Sequence, residues 1–376
     1  NGQWQTFPNA RAAEEAAYGE YKDNLRRTAE NFRITDDHLG EGGPKAKFQA
    51  NIAAIKLLKY LEETTEQATP EQQKILSRYV GWGGLADAFD PEKPAWAAEY
   101  TQLKELLTPE EYTAARGSTL NAHYTSPTVI RAIYETVGRM GFETGNILEP
   151  SCGVGNFFGM LPEKMRNSHL YGVELDPVSG RIAKQLYPKA DITVGGFETT
   201  DRRDFFDLAI GNVPFGQYQV RDKAYNKLNF SIHNYFFAKA LDQVRPGGVV
   251  AFVTSRYTMD AKDSTVRRYL AQRAELLGAI RLPNDAFKKN AGAEVVSDII
   301  FLQKRDRPLD IVPEWTQTGI LRVPAKSQDF VGEGGATEQA SFSPQGGNEQ
   351  AQSATTQDGF AINRYFIDHP EMVLGR

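Results

Sequence analysis

Apolar residues in the first third of the chain recur at three- and four-residue spacing. Phe48, Ile52, Ile55, Leu58 and Leu61 fall on one face of a helix, and the pattern predicts an amphipathic helix that ends before Thr69-Pro70. A second helix is expected over 71–80, stopping at Gly81-Trp82-Gly83-Gly84, and a third near 94–107. From residue 124 the texture changes. Ser126-Pro127 is an N-cap followed by a first-turn proline, and it leads a helix carrying Val129, Ile130, Ile133, Val137 and Met140. Short apolar runs at 146–148, 170–173, 192–194, 208–210, 249–254, 277–282 and 298–303 then alternate with helical segments, notably 178–186, 233–243 and 264–275. Strands alternating with helices at this pace predict an α/β fold with a mostly parallel, doubly wound sheet covered on both faces. The last two strands, joined by the 283–297 loop, are expected to form an antiparallel edge hairpin.

These patterns divide the chain into a helical N-terminal region (1–120), an α/β domain (121–307), a linker (308–359) and a C-terminal docking segment (360–376). The stretch 326–359 is rich in Gly, Ser, Gln, Thr and Ala with few large apolar groups, which is linker composition. Phe360, Ile362, Tyr365, Phe366 and Ile367 restore hydrophobic character and predict a short helix or clip. No apolar run reaches the ~18 residues of a membrane span and no charged-then-apolar leader is present, so a cytoplasmic protein without membrane contact is expected. The first residue is Asn, not Met, and a piece of a longer polypeptide is expected. The single cysteine, Cys152, excludes internal disulfides and Cys-rich zinc sites. The five histidines show no metal-ligand spacing, so no metal is expected. Net charge is −5, yet residues 201–307 carry 18 Lys+Arg against 12 Asp+Glu. A mildly basic block in an acidic chain fits a face for phosphate contacts; a solvated charged surface has the same composition.

Three strand ends carry chemistry. In Glu149-Pro150-Ser151-Cys152-Gly153-Val154-Gly155-Asn156, a strand enters a glycine turn that opens a helix. Such a turn lets a ligand approach the backbone and aims helix N–H groups at it. Glu149 would serve a pyrophosphate badly and a cationic ammonium well. Glu174 ends the next strand, 19 residues after Gly155, the separation at which an acid accepts hydrogen bonds from ribose hydroxyls. Asn212-Val213-Pro214-Phe215 ends the 208–210 run. That sequence is also what a tight turn uses. As a site, the Asn212 amide oxygen and the carbonyl of residue 213 would accept both protons of a ring-bound amine, and Phe215 would stack on the ring.

In this order the motifs resemble the amino-group DNA methyltransferases that use S-adenosylmethionine, with the gamma-type arrangement of adenine-N6 enzymes. Tyr124-Thr125-Ser126-Pro127 resembles the motif before their first strand, 149–155 their methionine-binding loop, and 212–215 their Asn-Pro-Pro-Tyr/Phe loop. More narrowly, Tyr79-Val80-Gly81-Trp82-Gly83-Gly84-Leu85, the 212–216 loop, 278–283, 298–304 and 363–375 resemble a methylase region of very large plasmid and conjugative-element proteins, often joined to helicase-like modules. The resemblance implies a Rossmann-like class I methyltransferase fold with a seven-stranded sheet. It implies cofactor contacts from Tyr124, Thr125, Glu149, Ser151, Gly153, Gly155, Asn156 and Glu174, with Phe197 covering the cofactor's adenine and Glu198 (or Asp191) taking its amino group. The implied activity is methylation of N6 of an adenine flipped out of DNA, with helicase-like modules of the same polypeptide as partners. The same chemistry on a protein glutamine, an RNA base or cytosine N4, or a module that binds without catalysing, stays open. Val213 stands where the family has Pro: its carbonyl is retained, Pro214 keeps it extended, and an extra N–H needs a partner. Where such enzymes commonly carry a recognition domain, only a linker follows here, so base contacts are expected from the 1–120 helices, from the 217–231 insert (Arg221, Lys223, Tyr225 and Lys227), from Lys288 and Lys289 in the 283–297 loop, or from a part of the polypeptide outside this sequence.

Overall fold

Caps and prolines set where the N-terminal helices begin. Thr69 and Thr108 each close a capping box, with Gln72 and Glu111, and each precedes a first-turn proline. In the computed structural model, which describes residues 9–38, 40–119, 125–283, 296–321 and 360–374, this region holds α1 (Ala10–Thr28), α2 (Pro44–Thr64), α3 (Pro70–Leu76), α4 (Ala97–Leu106) and α5 (Pro109–Ser118). α2 buries the predicted face, Phe48, Ile52, Ile55, Leu58 and Leu61. α3 ends at Leu76, short of the expected 80. The buried Asn51 side chain accepts from Val80 N–H at 2.9 Å and donates to the Gly81 carbonyl at 2.6 Å, holding 80–81 as a turn.

α6 (Pro127–Arg139) starts as expected, with Ser126 Oγ accepting from Val129 N–H. Beyond it come β1 (Asn146–Glu149), α7 (Asn156–Gly159), β2 (His169–Glu174), α8 (Pro177–Leu186), β3 (Asp191–Val194), β4 (Phe206–Asn212), α9 (Ile232–Gln243), β5 (Val244–Ser255), α10 (Tyr257–Asp260), α11 (Thr265–Arg273), β6 (Ala274–Arg281) and β7 (Ser297–Lys304). The seven strands form one sheet in the order β3-β2-β1-β4-β5-β7-β6, mostly parallel as the alternation predicts. β7 is antiparallel to both neighbours and sits inside the sheet, leaving β6 at the edge.

Successive strand residues point to opposite faces, and the two cores divide accordingly. Ile147, Leu208, Ile210, Ala251 and Val253 face α6, α8 and the N-terminal helices. Leu148, Ala209, Val250, Phe252 and Leu302 face α9 and α11. The first core runs without a break from Phe48 to Phe301, so the boundary at 120 marks a change of texture and not of packing.

Residues 308–321, expected as the start of the linker, are built into the fold. A 3-10 turn at Glu314–Thr316 leads into β8 (Thr318–Leu321), which pairs antiparallel with β9 (Phe360–Asn363), and the short helix Arg364–Asp368 comes next. Residues 322–359, the rest of the expected linker, lie outside the described residues. Buried Asn363 locks this clip: Nδ2 donates to the Met259 and Trp315 carbonyls at 2.7 and 2.8 Å, and Oδ1 accepts from Tyr365 N–H at 2.9 Å. Arg281 is paired with both oxygens of Asp298 at 2.8 and 2.9 Å and with Asp260 at 2.8 Å, and Phe366 lies under its guanidinium. No helix among the described residues is long and apolar enough to cross a membrane.

Asn363→Ala deletes three hydrogen bonds and leaves two main-chain carbonyls buried, so urea unfolding should show a loss of ~2–4 kcal/mol. A loss below ~0.5 kcal/mol, the scale of ordinary surface changes, would mean that the clip lies outside the cooperative unit.

Candidate active site

β1 and β4 lie side by side and parallel, with Ile147 level with Leu208 and Leu148 with Ala209. The chain leaves β1 toward β2 and β3 and returns as β4 on the other side, which makes this the topological switch point, where open sheets bind ligands beyond the strands' C-terminal ends. Glu149, Glu174 and Asn212 end the three strands β1, β2 and β4 that meet there.

Glu149 is 2% exposed and its Oε2 has no hydrogen bond. Burial, and then the nearby Glu174 charge, push its carboxyl well above the ordinary range. Gly211 passes directly beside it at φ +149°; a Cβ there would stand 3.2 Å from Glu149 Cγ. Both glycines of the turn have left-handed backbone, φ +54° at Gly153 and +85° at Gly155. A Cβ on Gly155 would stand 2.4 Å from the Tyr187 ring. Glu174 is fastened to this turn: Oε2 accepts from Gly153 N–H and Oε1 from Asp176 N–H, both at 2.7 Å. Burial still lifts its carboxyl to about 7. Ser151 and Asn156 flank the turn, partly buried. The expected helix cradle is reduced, because α7 is four residues long and the Gly153 amide is committed to Glu174. Cys152 is a buried filler whose thiol is pushed up by burial and then by Glu149.

The 212–216 loop is tethered where it leaves β4. Asn212 Nδ2 donates to Oγ1 of buried Thr125 at 3.1 Å, which fixes the amide plane. Val213 N–H continues the β4–β5 ladder to the Val253 carbonyl at 3.1 Å, so the proton that proline would lack has its partner. Pro214 and Phe215 are half-buried, with Phe215 packed on the first core. His233, behind the loop, has Ser231 Oγ 3.2 Å from its Nε2, and burial pushes the imidazole down to about 4, so it is neutral at pH 7.

Other expectations fare differently. Phe197 is 3% exposed, its ring 5.0 Å from Phe236 and 6.1 Å from Tyr235, so it is a core residue and not an open platform. Glu198 beside it is exposed. Tyr124, Lys288 and Lys289 lie outside the described residues. Arg221, Lys223 and Lys227 are exposed on the 217–231 segment. Sequence reading missed what anchors that segment. Buried Asp222 accepts from Tyr235 Oη at 2.8 Å and Lys239 Nζ at 2.7 Å, partners 13 and 17 residues away on α9, a separation that no local spacing rule reaches. The role of Thr125 in tethering the loop had no sequence signal either. Among the described residues no group of three or more His, Cys, Asp or Glu could hold a metal ion.

A family model described as N-6 DNA Methylase matches residues 105–330. The chain is 28% identical over 272 residues to the Defense against restriction protein B of Escherichia phage P1, covering 70% of this chain and 10% of that protein. It is 42% identical over 83 residues to the Type II methyltransferase M.CvrRI of Paramecium bursaria Chlorella virus XZ-6E, covering 22% of this chain and 21% of that one. The chain thus spans about a tenth and about a fifth of these two relatives. Among solved structures, a protein described as a class I S-adenosylmethionine-dependent methyltransferase from Listeria monocytogenes has a TM-score of 0.43 at 17% identity, covering 72% of this chain and 90% of that one. A type I restriction enzyme modification subunit from Vibrio vulnificus has 0.41 at 14%, covering 81% and 84%.

A carboxyl near 7 in the folded state, against 4.5 ordinarily, is protonated more readily folded than unfolded. Its contribution to stability is complete below 4.5 and is lost as pH rises through about 7. Melting temperatures of the cofactor-free wild type, taken relative to Glu174→Gln, should therefore fall across that window. A difference that does not vary with pH would refute the assignment.

Proposed function

The chain belongs to the N-6 DNA methylase family, whose cofactor is S-adenosylmethionine, and on that premise we propose that it methylates N6 of an adenine turned out of DNA. The observation that carries this reading is the juxtaposition at Gly211. On one side lies a buried carboxyl group with an unpartnered oxygen, on the other an asparagine whose amide plane is fixed by Thr125.

S-adenosylmethionine supplies an activated methyl on a cationic sulfur, together with an ammonium and a ribose diol. The residues fit such a group. Glu149 Oε2 is an acceptor short of a donor, and an ammonium would also draw its raised carboxyl down into the charged form. Glu174 keeps lone pairs beyond those used by the two amides and would accept from ribose hydroxyls. With Nδ2 tied to Thr125, Asn212 presents Oδ1, and Pro214 keeps Val213 extended. These two acceptors would take both amino protons and localise the nitrogen lone pair for attack. Half-exposed Phe215 would stack on the base, worth ~1–3 kcal/mol. The product ammonium is acidic enough to lose its proton to solvent, so no tuned base is required. Arg221, Lys223 and Lys227 would meet backbone phosphates.

Labelled methyl incorporation should appear in DNA and fall ~10²–10³-fold in Asn212→Ala, a loss on the scale of a deleted transition-state hydrogen bond. Cofactor affinity should stay within about threefold. Label confined to RNA or protein, or methylation that survives Asn212→Ala, would sink the proposal. Val213→Pro should retain activity within about threefold, because only one N–H of the ladder is lost. Replacing Arg221, Lys223 and Lys227 together by Ala should weaken binding to all DNA sequences alike and reduce the salt slope by about 3; an unchanged slope would place the phosphate contacts elsewhere.

A further inference from the structure

The aromatic turn at 79–85 belongs to the N-terminal region, far in sequence from the three strand ends of the site. It is built rigidly. Asn51 pins residues 80 and 81, and Trp82 stands edge-on to Phe48, Tyr79 and Phe89 at 6.0, 6.3 and 5.2 Å. Its neighbours are tied to α8: Gln73 Nε2 donates to the Leu186 carbonyl at 3.2 Å, and Glu111 bridges Lys59 of α2 and Arg181 of α8. The Tyr79 ring is 1% exposed, its hydroxyl lies near Ser179 and Trp82, and the Asp176 and Glu174 charges bear on it.

Asp176 is the N-cap of α8. Its Oδ2 accepts from both N–H and Oγ of Ser179, while its Oδ1 is buried with no hydrogen bond. The Tyr79 hydroxyl is likewise buried with no hydrogen bond. A buried donor and a buried acceptor therefore stand at the same turn, each short of a partner, and buried groups in that condition are rare in folded proteins. Asp176 N–H also holds Glu174 Oε1, so a displacement of Asp176 is passed directly to the carboxylate.

We propose that Tyr79 is a positioning residue for the cofactor site: its hydroxyl, carried in from the N-terminal region, hydrogen-bonds Asp176 when S-adenosylmethionine is bound and so sets the 174–176 turn against the ribose. The inference rests on the reading of Glu174 as the ribose acid. It makes the N-terminal region part of the cofactor site, not a separate appendage.

Titration calorimetry with S-adenosylmethionine on the full chain tests it, comparing wild type with Tyr79→Phe, Asp176→Asn and Glu174→Ala. Tyr79→Phe should raise the Kd about tenfold, the scale of one hydrogen bond to a charged group. kcat at saturating cofactor should stay within about twofold of wild type. A tyrosine that merely fills the core would change the melting temperature and leave Kd alone. The double variant Tyr79→Phe/Asp176→Asn should bind no worse than the poorer single variant, because both changes break the same contact. An unchanged Kd in Tyr79→Phe alongside a weakened Glu174→Ala overturns this inference and leaves the ribose reading standing. An unchanged Kd in both overturns both. If Tyr79→Phe does not fold, Asp176→Asn carries the test, with the same tenfold loss expected and an unchanged Kd overturning the proposal.

Discussion

The parallel pairing of β1 with β4 fixes what this end of the sheet can do. It sets Glu149 and Gly211 against one another, where a Cβ would stand 3.2 Å from Glu149 Cγ and the backbone takes a φ that other residues rarely adopt. The acid and the Asn212 loop then lie within a residue's width of each other. The arrangement is costly for the protein alone: a carboxyl is buried with one oxygen unsatisfied and its proton held abnormally tightly. Local rules broken in this way at a strand end are the mark of a site organised around a ligand.

Much of this was legible in the sequence because it depends on short-range rules. Periodicity marked α2 and the strands, Ser126-Pro127 marked the start of α6, and the motif order located the three strand ends. The misses share a physical cause. α3 ends early because Asn51, some thirty residues away, competes for the backbone at 80–81. β8 has neither an apolar run nor a turn signature of its own; its order comes from β9, which lies beyond 322–359, and from the buried Asn363 amide. Phe197 read as a platform because an aromatic at that strand end is common to both roles, and only the packing of α9 against it decides for the core. The Val213 question was also one of tertiary context. Its extra N–H is answered by β5, a partner that no inspection of 212–215 reveals.

The N-terminal region illustrates how texture and packing can part company. Its sequence has no strand alternation and no catalytic cluster, which sets it apart from the α/β domain. Yet Phe32 N–H donates to the Leu186 carbonyl at 2.8 Å, Ile34 N–H to the Gly159 carbonyl at 2.9 Å, and Arg33 to the Leu161 carbonyl at 2.6 Å. These contacts reach the backs of α7 and α8, the elements that come after the glycine turn and the Glu174 turn. The helices thus brace the Glu149 and Glu174 strand ends from behind while β4, β5 and α9 brace the 212–216 loop from the other side.

The 217–231 segment separates the residues that hold it from the residues it displays. Asp222 and Tyr225 turn inward, to α9 and to Asp242 at 2.6 Å, whereas Arg221, Lys223 and Lys227 point outward and take no part in that anchoring. Sequence drift on the outward positions therefore leaves the inward lattice intact. Such a segment can be re-lettered one side chain at a time while the 212–216 loop, two residues upstream of Tyr218, keeps its geometry, so the surface it displays and the framework that holds it are separately heritable properties of this fold.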